Sequence, residues 1–233
     1  QCAASYFHEG IFRIHEIPSA KSIDNLLTSL EEIGIVVDAD SNDIHSLIAT
    51  VQAKADTYDM RDEVDRLIIR SLKRAQYAYH NKGHFGLGFD AYTHFTSPIR
   101  RYSDLILHRY LKVILAHDSK QEQYIKGFLP ALTVQITNLE ELAKKTAWEY
   151  EDRVFARWAD KHVGEVFKAV VVDLHPTKPP IAKLHDDIEG ARIFLEESDG
   201  VELFEKVEIE ILGVNLATAK IYAKVTQRST EDV

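Results

Sequence analysis

Apolar and polar positions follow two different periodicities along the chain. Up to Val163, apolar residues recur at spacings of three and four, which is typical of helices with one buried face. Residues 1–9 are expected to form the end of a helix, and a short alternating run at 11–15 predicts a strand after it. Ser22 as N-cap and Gly34 as stop signal bound the next predicted helix, and Pro130 is expected to separate the last two. The later predicted helices span 44–56, 62–79, 119–128 and 131–163.

After Val163 the apolar residues alternate with polar ones in five short runs. Turn residues such as Asn215 separate these runs. Five strands in so short a segment suit a small closed barrel of the oligonucleotide-binding type. The predicted fold class is therefore α+β, with a mostly helical part followed by a five-stranded barrel. The predicted strands span 166–174, 181–184, 191–196, 207–214 and 218–225.

The segment 83–109 combines glycines, aromatic residues and a helix-start signal. Its three glycines allow sharp turns or a close approach of the backbone to a ligand. Ser97 can cap a helix whose first residue is Pro98. The apolar face predicted for this helix consists of Ile99, Tyr102, Ile106, Tyr110 and Val113.

Arg100 and Arg101 then fall in the first turn of the predicted helix. A helix N-terminus carries partial positive charge and free N–H groups, so acidic residues are the usual choice there. Two arginines instead concentrate positive potential, which favours binding of a phosphate or another anion. The alternative is a surface ion pair between Arg100 and Asp104, one turn later.

The same segment carries a long, nearly unbroken motif. Its runs are Gly83-His84-Phe85-Gly86-Leu87-Gly88 and Tyr92-Thr93-His94-Phe95-Thr96-Ser97-Pro98-Ile99-Arg100-Arg101-Tyr102, followed by Asp104 and His108-Arg109. This order of residues resembles the signature of the ribonuclease II and ribonuclease R family, whose catalytic domain is the RNB domain. The resemblance implies a processive, magnesium-dependent exoribonuclease that degrades single-stranded or structured RNA from its 3′ end to 5′-mononucleotides.

The resemblance also implies roles for individual residues. By position, Arg100 matches the family's catalytic arginine, which contacts the phosphate being cleaved. The family's cluster of magnesium-binding aspartates has no counterpart here, so the Mg²⁺ ligands are expected in a preceding part of the catalytic domain. This chain alone is therefore expected to be inactive. The residues expected to bind RNA are His84, Tyr92, His94, Thr96, Ser97, Arg101 and Lys168.

The second part of the chain resembles an S1 domain, which follows the catalytic domain in this family. The resemblance lies in the first strand, Gly164-Glu165-Val166-Phe167-Lys168-Ala169-Val170. S1 domains usually place aromatic residues on their second and third strands, where bases stack, but these strands are largely aliphatic here. For this barrel, binding along the RNA backbone or a purely structural role is therefore as open as base stacking. The expected domains are 1–162, the C-terminal part of the RNB domain, 163–228, the S1-like barrel, and 229–233, a tail.

Charge is distributed unevenly along the chain. The net charge is −9, but residues 61–120 hold eleven Lys and Arg against six Asp and Glu, a local balance of +5. A positive zone in an acidic protein can focus a phosphate chain into one cleft, so RNA is the expected partner. The acidic run 38–43 lacks the glycine and the final glutamate of a calcium loop, which favours a solvated loop and helix cap.

Cysteine usage and hydropathy indicate the compartment. Cys2 is the single cysteine, so no intrachain disulfide can form, which fits a reducing cytoplasm. The sequence has no apolar run long enough to span a bilayer and does not open with a signal peptide. We expect a cytoplasmic protein without a membrane partner that acts as a monomer. The alternative function is that of a non-catalytic RNA-binding or scaffold protein that retains half of the enzyme fold.

Overall fold

The chain divides into two compact units, Gln1–Leu142 and Ala143–Val233. The first is mostly helical and the second contains a five-stranded barrel, so the α+β class expected from the sequence is confirmed. The domain ranges 1–162, 163–228 and 229–233 stay a prediction. In the described part of the chain, no helix combines the length and the apolar character needed to cross a membrane. The computed structural model describes residues 9–37, 43–175, 177–185, 190–198 and 200–228.

Helices and strands follow the order that the hydrophobic pattern indicates. The helices are α1 (Ala20–Glu32), α2 (Ile44–Thr57), α3 (Arg61–Ser71), α4 (Tyr102–Leu115) and α5 (Ser119–Ala159). The first unit also contains the strands β1 (Phe12–Ile14) and β2 (Gln76–Ala78). The barrel strands are β3 (Val166–His175), β4 (Lys178–Leu184), β5 (Arg192–Glu197), β6 (Lys206–Asn215) and β7 (Lys220–Arg228).

The antiparallel ribbon of β1 and β2 shows where the helix prediction fails. All residues of β1 are buried, and Phe12 faces Ala78 in the ladder. The helix predicted at 62–79 ends instead at Ser71, because Leu72 adopts an extended conformation (φ −74°, ψ 147°). The chain then runs into β2, where ladder bonds to β1 satisfy backbone groups that burial removes from water.

Capping side chains set the starts of α1 and α2. Ser19 caps α1, and not Ser22 as predicted, because the Ser19 hydroxyl accepts the Ser22 N–H at 3.2 Å. The Asp43 carboxylate caps α2 in the same way, through the Ser46 N–H at 3.2 Å. The rest of the acidic run 38–43 lies outside the described residues, and the role of Asp43 agrees with the helix cap predicted there.

Helix α5 continues through Pro130, where the sequence predicted a break. An interior proline removes a helix hydrogen bond and costs about 3 kcal/mol. Ile125 and Leu129 are buried in the turns before it, and this apolar contact offsets the cost. Leu139 and Leu142, further along the same helix, are 55% and 58% exposed.

The strands of the second unit close into a barrel, as the alternating pattern predicts, and their order along it is β3–β4–β5–β7–β6. Strands β5 and β7 run parallel, and the other neighbouring strands run antiparallel. Along β6, Val207, Ile209 and Ile211 are buried, whereas Lys206 is exposed. Closure joins the outer strands to each other, which protects them from pairing with other chains.

The last turns of α5 pack against this barrel. Ala159 is fully buried within the barrel core, and Trp158 contacts the same core. The Trp158 ring stacks on His162, with centroids 4.5 Å apart, and meets Phe167 edge-on at 5.1 Å. The helix end therefore belongs to the hydrophobic core of the second unit.

Replacing Ile209 by alanine should lower the free energy of unfolding by about 2–5 kcal/mol, because fully buried methyl groups are lost and a cavity remains. Leu212→Ala is the matched control, since Leu212 lies on the same strand but is 37% exposed. We expect it to cost less than about 1 kcal/mol. Denaturant titration followed by circular dichroism measures both, and equal losses would contradict the assigned inward-facing positions.

Candidate functional site

A tight turn precedes helix α4 and holds the two adjacent arginines. The Ser97 carbonyl accepts hydrogen bonds from the Arg100 N–H at 3.2 Å and from the Arg101 N–H at 3.0 Å. Arg101 is extended (φ −125°, ψ 115°), and α4 begins at Tyr102. The predicted helix start at Pro98 is therefore wrong, and neither arginine lies in the first helical turn.

The buried carboxylate of Asp104 explains this late helix start. It is fully shielded from water and accepts a hydrogen bond from the Ser97 N–H at 2.8 Å. It also accepts from the Arg101 guanidinium, with Nε at 3.0 Å and Nη2 at 3.1 Å, and from the Ser103 hydroxyl at 3.1 Å. Binding both Ser97 and Arg101 requires the chain to fold back over the start of α4. A helix that began at Pro98 would carry the Ser97 N–H two turns away from Asp104.

Arg101, and not Arg100, is thus the ion-pair partner of Asp104. The surface pair between Arg100 and Asp104 that the sequence left open does not form. Burial by itself would raise the pKa of the Asp104 carboxyl, but the Arg101 guanidinium and the Ser97 N–H outweigh burial and hold the pKa below its ordinary value. The carboxyl is therefore ionised at neutral pH.

Arg100 has the opposite surroundings. Its side chain is exposed and has no hydrogen-bond or ion-pair partner among the described residues. Ile99 is fully exposed and Tyr102 is 53% exposed, so the first part of the predicted apolar face is wrong. Ile106 and Tyr110 are buried, as predicted. The turn therefore presents an unpaired cation next to exposed apolar side chains.

The loop before the turn is tied to two other elements. His108 of α4 donates through Nε2 to the Phe95 carbonyl at 2.7 Å, and the two rings lie 4.3 Å apart. The Thr93 hydroxyl donates to the Ile11 carbonyl, next to β1, at 2.5 Å. Since these bonds attach the loop on both sides, the position of the turn is fixed by contacts with β1 and with α4.

Aromatic rings around the glycine-rich part of the motif contact each other in a row. The row starts at His15, continues through His84, Tyr92 and His94, and ends at Tyr77. Successive ring centroids lie 5.1, 5.4, 5.6 and 5.7 Å apart, and the rings meet edge to face. Tyr77 Oη also lies 2.7 Å from His94 Nδ1. Three residues predicted to bind RNA, His84, Tyr92 and His94, are thus joined by ring contacts.

Gly86 lies so close to His15 that a side chain would not fit. Its N–H donates to His15 Nδ1 at 3.1 Å, and an added Cβ would lie 2.7 Å from that atom. Because Nδ1 accepts this bond, Nε2 is the ring nitrogen of His15 that carries a proton. His15 Nε2 and His84 Nδ1 are buried without a hydrogen-bond partner among the described residues. Burial and the neighbouring His15 lower the pKa of His84, so its ring is neutral at pH 7.

Arg13 and Glu140 form a partly buried ion pair beside the Tyr77 ring, and the sequence pattern did not single out this pair. The Arg13 guanidinium donates two hydrogen bonds to the Glu140 carboxylate, of 2.5 and 3.2 Å. It also lies over the Tyr77 ring, 4.8 Å from the centroid. One arginine in a short strand and one glutamate in a long helix carry no local signal. Their pairing becomes visible where β1 meets α5.

Thr96 and Lys168 are also predicted to bind RNA. Thr96 is exposed in the loop before the turn, next to Ser97. Lys168 belongs to the second unit, where it is exposed on β3. The β3–β6 ladder places Glu208 opposite Lys168.

The outer face of the barrel carries an aromatic pair that the sequence analysis missed. Phe194 on β5 and Tyr222 on β7 are register partners, and their ring centroids lie 6.1 Å apart. Lys220 Nζ lies 5.3 Å from the centroid of the Phe194 ring. A search of the second and third strands alone cannot find this pair, because Tyr222 comes from the fifth strand of the barrel.

Comparison with known proteins finds one family and many relatives. Residues 1–117 match the RNB domain family. The chain is 36% identical over 180 residues to a protein named ribonuclease R from Thermotoga maritima, covering 74% of this chain and 25% of that protein. It is 32% identical over 229 residues to ribonuclease R from Helicobacter pylori, covering 98% and 35%. The chain thus spans about a quarter to a third of the length of these relatives.

Solved structures show the same fold. The apo form of Mycoplasma genitalium RNase R superimposes with a TM-score of 0.82 at 19% identity, covering 93% of this chain and 37% of that one. A structure of that protein in complex with ribose methylated single-stranded RNA gives the same values. Yeast Ssd1, described as a pseudonuclease, superimposes with a TM-score of 0.58 at 22% identity, covering 88% of this chain and 25% of that one.

We expect Gly86→Ala to lower the free energy of unfolding by about 1–3 kcal/mol, because the new methyl group would overlap His15 Nδ1. Gly127→Ala is the matched control. Gly127 lies inside α5, and apart from the adjoining backbone of its own helix no atom lies within 4 Å of the place that a methyl group would take, so alanine should raise the free energy of unfolding by about 0.5–1 kcal/mol. Thermal unfolding of both variants measures whether each change raises or lowers stability. A more stable Gly86→Ala variant would contradict the close approach of Gly86 to His15.

The lowered pKa of Asp104 makes stability depend on pH in one direction. The ionised Asp104 carboxyl contributes fully to the free energy of unfolding above its unfolded-state pKa, about 3.9. This contribution is lost as the pH falls through the lower folded-state pKa. The unsubstituted chain should therefore lose thermal stability below about pH 4 more steeply than Asp104→Asn. Asp118→Asn, at an exposed helix cap, is the control. Parallel pH profiles for all three proteins would contradict this role of Asp104.

Proposed function

Because the chain belongs to the RNB-domain family, we propose that it is the C-terminal part of a processive 3′-to-5′ exoribonuclease. Its substrates are single-stranded or structured RNA and its products are 5′-mononucleotides. The relatives named ribonuclease R support this activity. The structures of the Mycoplasma genitalium protein with single-stranded and double-stranded RNA support RNA as the partner.

The observation that carries the proposal is that the two adjacent arginines have different partners. Asp104 binds the guanidinium of Arg101, whereas the guanidinium of Arg100 is exposed and unpaired among the described residues. A free guanidinium can donate two parallel hydrogen bonds to a phosphate. Charge that builds on the phosphate during cleavage would strengthen these bonds, and such differential binding lowers the barrier. Arg100 is therefore the proposed catalytic residue.

The residues that the structure describes do not form a magnesium site that fits the proposed reaction. Within the described residues, no group of three or more His, Cys, Asp or Glu side chains could hold a metal ion. The buried carboxylate nearest to Arg100 in sequence, Asp104, already accepts bonds from a guanidinium, an amide and a hydroxyl. The proposal that the Mg²⁺ ligands of the enzyme lie in a preceding part of the catalytic domain rests on the family resemblance.

The other predicted residues are proposed to act on RNA in two ways, by direct contact or by positioning their neighbours. The exposed Thr96 hydroxyl is available to a phosphate oxygen, and Arg101 keeps its Nη1 group beside the bonds to Asp104. His84, Tyr92 and His94 contact each other, which supports a positioning role in addition to direct binding.

The barrel offers a second proposed surface for RNA. Lys168 lies on its outer face, as do the neighbouring rings of Phe194 and Tyr222. Stacking of a base on an aromatic ring is worth about 1–3 kcal/mol, so this pair supports base stacking beside a backbone-following or structural role. The proposed protein is cytoplasmic and acts as a monomer, without a membrane partner.

A second candidate function is that of a non-catalytic RNA-binding or scaffold protein. The similarity to yeast Ssd1, described as a pseudonuclease, supports it. The two candidates differ in what Arg100 does. In an enzyme its loss slows cleavage, whereas in a scaffold the full-length protein does not cleave RNA at all.

In the full-length protein, Arg100→Ala should lower the single-turnover rate of RNA cleavage by about 10²–10³, as for loss of one preorganised donor. RNA affinity should change little, because many other phosphate contacts remain. Arg100→Lys should restore the rate poorly, since a compact ammonium cannot bind two oxygens in parallel. Arg66→Ala is the matched control, because Arg66 is also exposed. Normal turnover in Arg100→Ala would rule out the proposed role of Arg100.

The chain by itself should release no mononucleotides from single-stranded RNA in the presence of magnesium. The reason is that the described residues contain no cluster able to hold a metal ion. Incubation of the purified chain with labelled RNA, beside a control without protein, measures release. Mononucleotides above that control would reveal a metal site within this chain.

A further inference from the structure

Asp104 closes the turn before α4 at both ends. It accepts the Ser97 N–H at the beginning of the turn, at 2.8 Å, and the Arg101 side chain at its end, at 3.0 Å. Arg100 lies between these anchors, and its own N–H is bonded to the Ser97 carbonyl. The backbone of Arg100 is therefore held from both sides, while its guanidinium stays free.

The same carboxylate decides how much charge the turn presents. A buried carboxylate must be paired and hydrogen-bonded to be tolerated, and the partner of Asp104 is Arg101. The pair offsets one of the two adjacent positive charges. An unpaired Arg101 would be a second guanidinium beside Arg100, able to compete for the same phosphate oxygens.

His108 holds the segment just before this turn. It follows Asp104 by four residues on α4, so both side chains lie on one face of the helix. His108 donates to the Phe95 carbonyl at 2.7 Å, and Asp104 accepts the Ser97 N–H at 2.8 Å. One face of α4 thus holds two points of the chain that leads to Arg100.

We propose that Asp104 is a positioning residue: by binding Ser97 and Arg101, it makes Arg100 the guanidinium of this turn that is free to contact an RNA phosphate. The expected effect of Asp104 on the cleavage rate rests on the proposed function. The pairing of Asp104 with Arg101 does not depend on that function and can be measured separately.

The first experiment compares turnover with binding in the full-length protein. Asp104→Asn keeps the shape of the side chain and an acceptor for Ser97 but removes the charge that binds Arg101. Single-turnover cleavage should slow by about tenfold, because Arg100 is less precisely held. RNA affinity should stay equal or rise, and its logarithmic salt dependence should steepen by about 0.7, as expected for one additional cation on a single strand. Asp118→Asn, the exposed cap on α5, should change neither quantity.

The second experiment needs no activity. Phenylglyoxal modifies accessible guanidinium groups, and mass spectrometry of peptides that contain the turn separates Arg100 from Arg101. In the unsubstituted protein, Arg101 should react severalfold more slowly than Arg100. In Asp104→Asn the two rates should become similar.

If Asp104→Asn does not fold, Arg101→Lys serves as the second variant. Lysine keeps an ion pair with Asp104 but not the parallel hydrogen bonds, so the cleavage rate should again fall while RNA affinity is retained.

The outcomes separate this inference from the proposed function. Unchanged turnover in Asp104→Asn, or turnover and affinity falling together, overturns the positioning role while slow cleavage by Arg100→Ala keeps the proposed function. Equal reactivity of Arg100 and Arg101 in the unsubstituted protein also overturns it. Normal cleavage by Arg100→Ala overturns both the catalytic role of Arg100 and the positioning role of Asp104, while the exoribonuclease activity itself stands. In that case the modification pattern still reports whether Asp104 pairs with Arg101.

Discussion

A carboxylate that is shielded from water must be matched by hydrogen-bond donors, and the turn before α4 is organised by that requirement. Asp104 receives donors from Ser97, Arg101 and Ser103. These bonds delay the start of the helix and fold the preceding chain back over it. They also make two adjacent arginines unequal, since one is used within the fold and the other, Arg100, stays exposed. The proposed chemistry depends on this inequality.

Polar groups of β1, β2 and the loop before the turn bond to each other, whereas His15 Nε2 and His84 Nδ1 have no partner among the described residues. Arg13 binds Glu140 and covers the Tyr77 ring, and the Tyr77 hydroxyl meets His94. His15 accepts a bond from the Gly86 N–H at a distance that leaves no room for a side chain. Buried polar networks of this kind favour one arrangement of the chain over its alternatives. A loop with such support can present a binding residue in a fixed place, although loops are commonly mobile.

The barrel follows a simpler rule, because alternation along each strand separates its core from its surface. Its inward positions are closely packed aliphatic residues, and the end of α5 adds Ala159 to them. The outward positions are free to vary, and here they place Phe194 beside Tyr222. In the proposed enzyme, this face would add RNA affinity that is largely independent of the turn, since each phosphate or base contact contributes separately.

The sequence by itself determined the family motif, the α+β class, helix α2 and the five barrel strands, because these follow from local periodicity and from the order of residues. It also singled out Arg100 as the candidate catalytic residue. The tertiary structure alone decided where α4 begins, which arginine pairs with Asp104, that β2 follows α3, and that α5 continues through Pro130. The physical reason is the same in each case. A donor, a ladder partner or a buried contact supplied by a residue outside the local segment outweighs the preference that the segment would follow alone.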